Sequence, residues 1–171
     1  MPDCTRRILS TSPDVTTRLA AQLGAGLKGG DVVLLSGPVG AGKSHLARAL
    51  IQSRLAVLGR FEDVPSPTFT LVQSYDLGDV EIWHADLYRL TDPHDIVELG
   101  LEQAFDAAIC LVEWPERLDS AAPAQALHLT LQPSDGPDDR VLVFSGPVAR
   151  WGKILAALTP EPDEMTHHVP D

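Results

Sequence analysis

The chain has 171 residues, 44% of them hydrophobic, and its formal net charge is −11 from 24 acidic and 13 basic side chains. This length and composition fit one globular domain with its own core and exclude a disordered chain. No apolar run approaches the ~20 residues of a membrane span, and a chain this acidic does not show the basic face with which a protein grips nucleic acid by itself.

The same features indicate where the protein acts. The polar start Met1–Arg7 lacks the apolar core of a signal peptide, and Cys4 and Cys110 form no C-x-x-C or zinc-site spacing. We therefore expect a cytoplasmic protein with reduced thiols and no membrane partner. The negative charge favours a protein partner over direct contact with tRNA or DNA, although solubility alone explains it equally well.

The first predicted elements are a strand and an amphipathic helix. Arg6–Leu9 is predicted as a short strand, and Ser12-Pro13 is typical of a helix N-cap followed by proline at the first helical position. Apolar residues recur every four positions in that helix, at Val15, Leu19, Leu23 and Leu27. We expect Gly29-Gly30 to close it. The hydroxyls of Thr16 and Thr17 are candidates for the wall of a nucleotide-base site, although helical threonines more often face solvent.

The second strand leads into the most informative stretch of the chain. The apolar run Val32–Leu35 is followed by GPVGAGKS at Gly37–Ser44 and by a helix predicted over His45–Leu58. This order of strand, G-x-x-x-x-G-K-[ST] and helix is typical of a phosphate-binding loop (P-loop). Its glycines let successive backbone N–H groups converge on phosphate oxygens, and the helix N-terminus adds its dipole.

The loop therefore predicts a nucleoside triphosphate site. The predicted contacts are Gly37, Gly40, Ala41, Gly42, Lys43, Ser44 and His45. Lys43 should bridge the outer phosphates, and the Ser44 hydroxyl should ligate Mg²⁺. The alternative is a glycine-rich turn that binds nothing.

The remaining elements complete an α/β pattern. Their predicted order is a hairpin of Phe69–Asp76 and Val80–Asp86, a helix from Asp92-Pro93, a doubly buried strand over Ala107–Val112, a second hairpin of Leu127–Gln132 with Val141–Phe144, and a helix over Ala149–Leu158. We predict a single P-loop NTPase-like domain over residues 1–158, with a mixed β-sheet whose parallel core is flanked by helices. Residues 159–171 are expected to be a disordered tail.

Two acids end strands where a P-loop protein needs a carboxylate for magnesium. Glu113 closes the buried run that precedes it, and Asp86 closes the second strand of the first hairpin. Each also fits a helix cap or a solvated strand end, so the pattern alone leaves both roles open.

A hydroxyl-rich loop follows the P-loop helix. It contains Ser66, Thr68 and Thr70 around a stiffening proline. Switch-type NTPases place a residue that senses the γ-phosphate in such a loop. The alternative is a local turn that enters a strand.

Four blocks of sequence together resemble the TsaE (YjeE) family of small bacterial P-loop ATPases of tRNA threonylcarbamoyladenosine biosynthesis. The blocks are Gly37–Ser44, SPTFTLVQSY at Ser66–Tyr75, HADLYRL at His84–Leu90 and EWPE at Glu113–Glu116. The resemblance spans roughly residues 11–117. This chain departs from the family at Pro38-Val39, which replaces Asp-Leu and removes a carboxylate, and at Ser44-His45, which replaces Thr-Thr.

The resemblance implies a protein that binds ATP with Mg²⁺, hydrolyses it slowly and acts with the TsaB–TsaD heterodimer. That complex modifies adenosine 37 of tRNAs reading ANN codons, and the ATPase would reset it rather than perform the transfer. The tRNA would be held by the partners.

The resemblance also implies roles for single residues. Lys43, Asp86 and Glu113 are the implied catalytic residues, and Ser44 joins the two carboxylates around the metal and its water. Trp114 is implied to lie near the nucleotide. The switch-like loop is the segment that contains Thr68 and Thr70.

Two rival hypotheses remain. A P-loop small-molecule or nucleotide kinase usually carries an arginine-rich lid, whereas the arginines here are scattered, Arg89, Arg117 and Arg150 among them. A non-catalytic, nucleotide-gated binding module would hydrolyse ATP only incidentally. A GTPase is disfavoured, because no N-K-x-D motif can be placed around the lysines at 28, 43 and 153.

Overall fold

The computed structural model describes residues 2–92 and 94–161. Within them, strands and helices alternate along most of the chain. The strands are β1 (Asp3–Ser10), β2 (Val32–Ser36), β3 (Val72–Asp76), β4 (Glu81–Asp86), β5 (Ile109–Glu113), β6 (Leu127–Pro133) and β7 (Arg140–Pro147). The helices are α1 (Pro13–Ala25), α2 (Lys43–Val57), α3 (His94–Leu99), α4 (Leu101–Ala107) and α5 (Val148–Ala156), with a 3-10 helix at Pro115–Ala121.

All seven strands form one sheet in the order β1-β7-β6-β2-β5-β4-β3. The four central strands β6, β2, β5 and β4 are parallel, and β1, β7 and β3 add antiparallel pairs at the two sides. The predicted mixed sheet with a parallel core is thereby confirmed. The P-loop strand β2 is central, so elements lie on both of its faces.

Side-chain alternation along β2 divides the core into two layers. Val33 and Leu35 pack with the apolar residues of α1, α2 and α5 on one face of the sheet. Val32 and Leu34 pack with those of α3 and α4 on the other face. A strand buried on both faces reads as a continuous apolar run, which is why its position could be predicted.

The first helix begins as predicted and ends earlier. The Ser12 side chain accepts a hydrogen bond from the N–H of Val15, and Pro13 occupies the first turn. The helix ends at Ala25 with Gly26 as its cap, and not at Gly29-Gly30. A Cβ on Gly29 would lie 2.6 Å from the carbonyl oxygen of Ala107, so this glycine serves a close approach between two segments instead.

The helix after β4 and the strand β3 also differ from their predicted bounds. The helix expected from Asp92-Pro93 is divided into α3 and α4, because Gly100 takes a left-handed conformation (φ 78°) between them. Strand β3 begins at Val72 rather than Phe69, because the N–H of Leu71 donates to the carbonyl of Pro67 and closes a turn. That turn uses a positive φ of 68° at Leu71.

The start of the predicted tail contacts α1. The Gln22 side chain exchanges hydrogen bonds with the backbone of Thr159, and Arg18 donates to the carbonyl of Pro160. The rest of the predicted tail, residues 162–171, lies outside the described residues. Among those that are described, no helix is long and apolar enough to cross a membrane.

A partly buried ion pair fixes α5 to the segment before β2. Arg150 donates two hydrogen bonds to the carboxylate of Asp31, one of them of 2.7 Å from Nε to Oδ1. The N–H of Lys28 donates to the same carboxylate, and Arg150 also donates to the carbonyl of Gly26. The hydrogen bonds with Asp31 raise the pKa of Arg150 against the opposing effect of burial.

The substitution Arg150→Gln should lower the free energy of unfolding by about 2 kcal/mol, because hydrogen bonds to charged groups contribute about 1.5–3 kcal/mol. Chemical denaturation monitored by circular dichroism measures this change. The control is Arg7→Gln in β1, whose exposed side chain should allow the same substitution within about 0.5 kcal/mol. Equal stability of the two variants would show that the ion pair contributes nothing.

Candidate nucleotide-binding site

The predicted phosphate-binding loop connects β2 to α2 in a conformation that depends on glycine. Gly37 has a φ of 146°, and a Cβ there would overlap the carbonyl oxygen of Leu131 in the neighbouring strand β6. Gly42, with a φ of 105°, is the N-cap of α2, and no side chain of the described residues caps that helix. The amide groups of the first turn of α2 are therefore available to an anion.

The loop forms one side of a cleft with a volume of about 470 Å³. Its lining residues are Pro38, Val39, Gly40, Gly42, Lys43, Ser44, His45, Asp86, Tyr88, Glu113 and Trp114. Most of the predicted site residues therefore lie around one space. Ala41 is buried under the loop, where its N–H donates to the carbonyl of Pro38.

Lys43 lies within the loop and not at its surface. Its ammonium group donates to the carbonyl of Gly37, is 3.5 Å from the carbonyl oxygen of Pro38, and lies 3.8 Å from the ring centroid of Trp114. Burial lowers the pKa of Lys43, while the negative charges of Glu113, Glu116 and Asp86 raise it. The ammonium thus has polar and aromatic partners from the loop and from the end of β5.

The two predicted carboxylates are neighbours because their strands end together. Asp86 of β4 and Glu113 of β5 are paired residues of parallel strands, so both side chains start from the same edge of the sheet. The Ser44 hydroxyl is 2.9 Å from Oε1 and 3.0 Å from Oε2 of Glu113. Burial raises the pKa of Asp86, and the charge of Glu113 also raises it. The hydrogen bond from the N–H of Tyr88 lowers this pKa, as do the electrostatic effects of His84 and Lys43.

These oxygen atoms fit a magnesium ion that is shared with a phosphate. The described residues contain no group of three or more His, Cys, Asp and Glu side chains that could hold a metal by themselves. Magnesium in nucleotide sites usually has one or two carboxylates, with waters and phosphate oxygens completing its shell. Ser44, Asp86 and Glu113 would supply the protein's share of such a site.

Neither His84 nor Arg140 of this region was predicted as a site residue. His84 lies behind Glu113 with its Nε2 2.7 Å from Oε2, and the alternation of His84 and Asp86 along one strand was a signal that could have found it. Arg140 at the start of β7 donates to the carbonyls of Ala41 (3.2 Å) and Gly40 (3.3 Å) and so supports the loop from outside. No local pattern in the sequence connects Arg140 with the P-loop.

Thr16, the predicted wall of the base site, does not line the cleft. Its side chain is 4% exposed, and its hydroxyl lies 2.7 Å from that of Ser10. The neighbouring Thr17 is exposed, and its hydroxyl is 3.0 Å from Nε2 of His45, a cleft residue. The helix turns about 100° per residue, so one position decides which threonine faces the P-loop.

The switch-like loop lies between α2 and β3, and its hydroxyl residues are not among those that line the cleft. The hydroxyls of Ser66 and Thr68 are 2.9 Å apart, and Gln73 donates to the Thr70 hydroxyl at 3.4 Å. These are local contacts of a turn before β3, which matches the alternative that the sequence left open. A role for this loop in sensing a phosphate stays a prediction.

A P-loop between the central strand β2 and its helix, facing carboxylates at the ends of the neighbouring strand β5 and of β4 beyond it, defines a P-loop NTPase-like protein. Residues 10–141 match the family described as "Threonylcarbamoyl adenosine biosynthesis protein TsaE". This match covers more than half of the chain. The chain belongs to the TsaE family.

Individual relatives agree with the family match. A Bacillus subtilis protein is 30% identical over 151 residues, which are 88% of this chain and 91% of that protein. A Rickettsia felis protein is 35% identical over 128 residues, or 75% of this chain and 73% of that protein. Both are named tRNA threonylcarbamoyladenosine biosynthesis protein TsaE. The crystal structure of Bacillus subtilis YdiB superposes with a TM-score of 0.73 at 25% identity, covering 91% of this chain and 95% of that one.

The substitution Gly37→Ala should weaken nucleotide binding at least about tenfold, because the added Cβ would meet a backbone carbonyl and displace the loop. Titration calorimetry with an ATP analogue and Mg²⁺ measures the affinity. Gly59→Ala is a matched control, since Gly59 also has a positive φ (73°) but no atom lies within 4 Å of an added Cβ. Unchanged affinity in Gly37→Ala would mean that the loop does not hold the phosphates.

Proposed function

We propose that this protein binds ATP with Mg²⁺ and hydrolyses it slowly in the pathway that makes threonylcarbamoyladenosine at position 37 of tRNAs reading ANN codons. The observation that carries the proposal is one cleft that joins the P-loop, Lys43, the Ser44 hydroxyl and the two carboxylates. Family membership supports the pathway, because the relatives are named tRNA threonylcarbamoyladenosine biosynthesis proteins.

The residues of the cleft would have separate roles in binding and hydrolysis. The first-turn amides of α2 would bind phosphate oxygens, and Lys43 would exchange the carbonyls of Gly37 and Pro38 for the outer phosphates. A bound Mg²⁺ would neutralise charge on the phosphates. Glu113 and Asp86 would orient the water that attacks the terminal phosphate, and positioning of this kind supplies most of catalysis in phosphoryl transfer.

The proposed partner is a TsaB–TsaD-type heterodimer, with tRNA held only through it. The net charge of −11 supports a protein partner rather than direct tRNA binding. Apolar side chains at the cleft give further support, since Val39 is 78% exposed and Tyr88 is 50% exposed. Side chains of this kind are favourable at a surface that another protein covers.

The kinase alternative has less support in the cleft. No arginine is among the described lining residues, although a kinase lid uses arginines to hold the phosphate that is transferred. Two of the scattered arginines have other partners: Arg150 pairs with Asp31, and Arg117 donates to the carbonyl of Tyr88. Transfer of labelled phosphate from ATP to a metabolite would favour the kinase over the proposed ATPase.

The substitution Lys43→Ala should lower ATP turnover by at least about 100-fold, because removal of one preorganised charge partner of the transition state costs about 10²–10³ in kcat. Phosphate release with Mg²⁺ is measured alone and with TsaB–TsaD added. The control is Lys153→Ala, which removes an exposed lysine of α5. Wild-type turnover that TsaB–TsaD leave unchanged would contradict the pathway assignment while keeping the nucleotide chemistry.

The substitution Glu113→Gln distinguishes an ATPase from a nucleotide-gated binding module. It keeps the size of the side chain and removes the charge, so turnover should fall about 100-fold or more, while ATP still binds through the loop and Lys43. Single-turnover hydrolysis and analogue binding are measured on the same sample. Partner-stimulated turnover equal to that of the wild type would count against catalytic use of this carboxylate.

A further inference from the structure

The side chain of His84 is not explained by the site as described so far. It does not line the cleft, yet it lies directly behind Glu113 and is fully buried. Its Nε2 is 2.7 Å from Oε2 of Glu113, and the two side chains are 0% and 3% exposed. Histidine is often at least partly exposed, so its complete burial here calls for a reason in the contact that it makes.

The hydrogen positions follow from the partners. An ionised carboxylate only accepts hydrogen bonds, so both Ser44 Oγ and His84 Nε2 donate to Glu113. The other ring nitrogen, Nδ1, has no hydrogen-bond partner among the described residues. The contact with Glu113 therefore requires a hydrogen on Nε2.

We propose that His84 is a positioning residue for the carboxylate of Glu113. Its Nε2–H holds Oε2 from the buried side, so that the carboxylate keeps the orientation in which both of its oxygens lie within 3.0 Å of the Ser44 hydroxyl at the cleft. The inference rests on the proposed function, because the orientation of Glu113 matters for chemistry only if this carboxylate serves the metal or its water. Groups that orient a metal-site residue typically change metal affinity or activity about 10–100-fold when they are lost.

The strand register explains how β4 places both Asp86 and His84 next to Glu113. Asp86 is paired with Glu113 itself, and His84 is paired with Leu111, two residues earlier in β5. Side chains two residues apart project from the same face of a strand. Strand β4 therefore presents Asp86 at the cleft and, one step deeper, a donor that reaches the buried side of Glu113.

A purely space-filling role would not require this chemistry. A buried apolar side chain would pack at position 84 without leaving a polar nitrogen unpartnered, and burying an unpaired polar atom is unfavourable. The hydrogen bond to Glu113 is the contact that distinguishes histidine from such a residue.

Three variants at this position separate the hydrogen bond from packing. The carboxamide nitrogen of glutamine extends about as far along the side chain as Nε2, whereas that of asparagine extends only as far as Nδ1. His84→Gln should keep kcat close to that of the wild type. His84→Asn and His84→Leu should lower kcat about 10–100-fold with little change in KM for ATP, since His84 does not line the cleft.

Thermal unfolding checks that each variant is folded, and His128→Gln at an exposed histidine of β6 is the control. Equal activity of the Gln, Asn and Leu variants would overturn the proposal. If the leucine variant does not fold, the comparison of glutamine with asparagine decides, because both bury a carboxamide.

A second measurement is independent of hydrolysis. Ring correlation spectra of the ¹⁵N-labelled full chain without nucleotide should show His84 with a protonated Nε2, and Glu113→Gln should shift the ring nitrogen resonances. A bare Nε2, or a ring that is insensitive to Glu113→Gln, would overturn the proposal. If the wild type proves inactive while this signature is present, the proposed function fails and the contact between the two residues stands.

Discussion

The structure of the site depends on one buried negative charge. Glu113 is 2% exposed, and a carboxylate in such a place is unfavourable unless hydrogen bonds and opposite charge compensate it. The compensation comes from three directions: the Ser44 hydroxyl in the first turn of α2, the ring of His84 in β4, and the nearby ammonium of Lys43. The contacts of Glu113 join the P-loop helix α2 to the adjacent strands β5 and β4, so the edge of the sheet and the loop are held together.

The chain direction after Glu113 matters as much as its charge. Trp114 has a left-handed backbone conformation (φ 59°, ψ 54°), which costs about 1–3 kcal/mol for a residue other than glycine. This turn directs the indole ring to Lys43, and Tyr88 packs against it with 4.9 Å between ring centroids. The strain is thus used to form an aromatic wall beside the loop, and such strain is typical of functional sites.

Local chemistry determines how much of this could be predicted. The P-loop and Glu113 follow from short patterns, a strand with its glycine loop and an acid that ends a buried run. The choice between Thr16 and Thr17 depends on the phase of one helix, which a four-residue repeat fixes only to within about a residue. Arg140 was missed because its contact with Gly40 joins segments that are 100 residues apart. Such a contact is created by the sheet order, and no window of sequence contains it.

The sheet order also has a consequence for the synthesis of this protein. Among the described residues, strand β1 pairs with β7 alone, as in the register of Arg7 with Val143, and β7 is the last of the seven strands in the chain. Long-range pairings form slowly, because a large loop must close first. The seven-stranded sheet therefore cannot be completed before β7 has been synthesised. Until β7 emerges, β1 lacks this neighbour, and an unpaired strand edge of this kind favours aggregation.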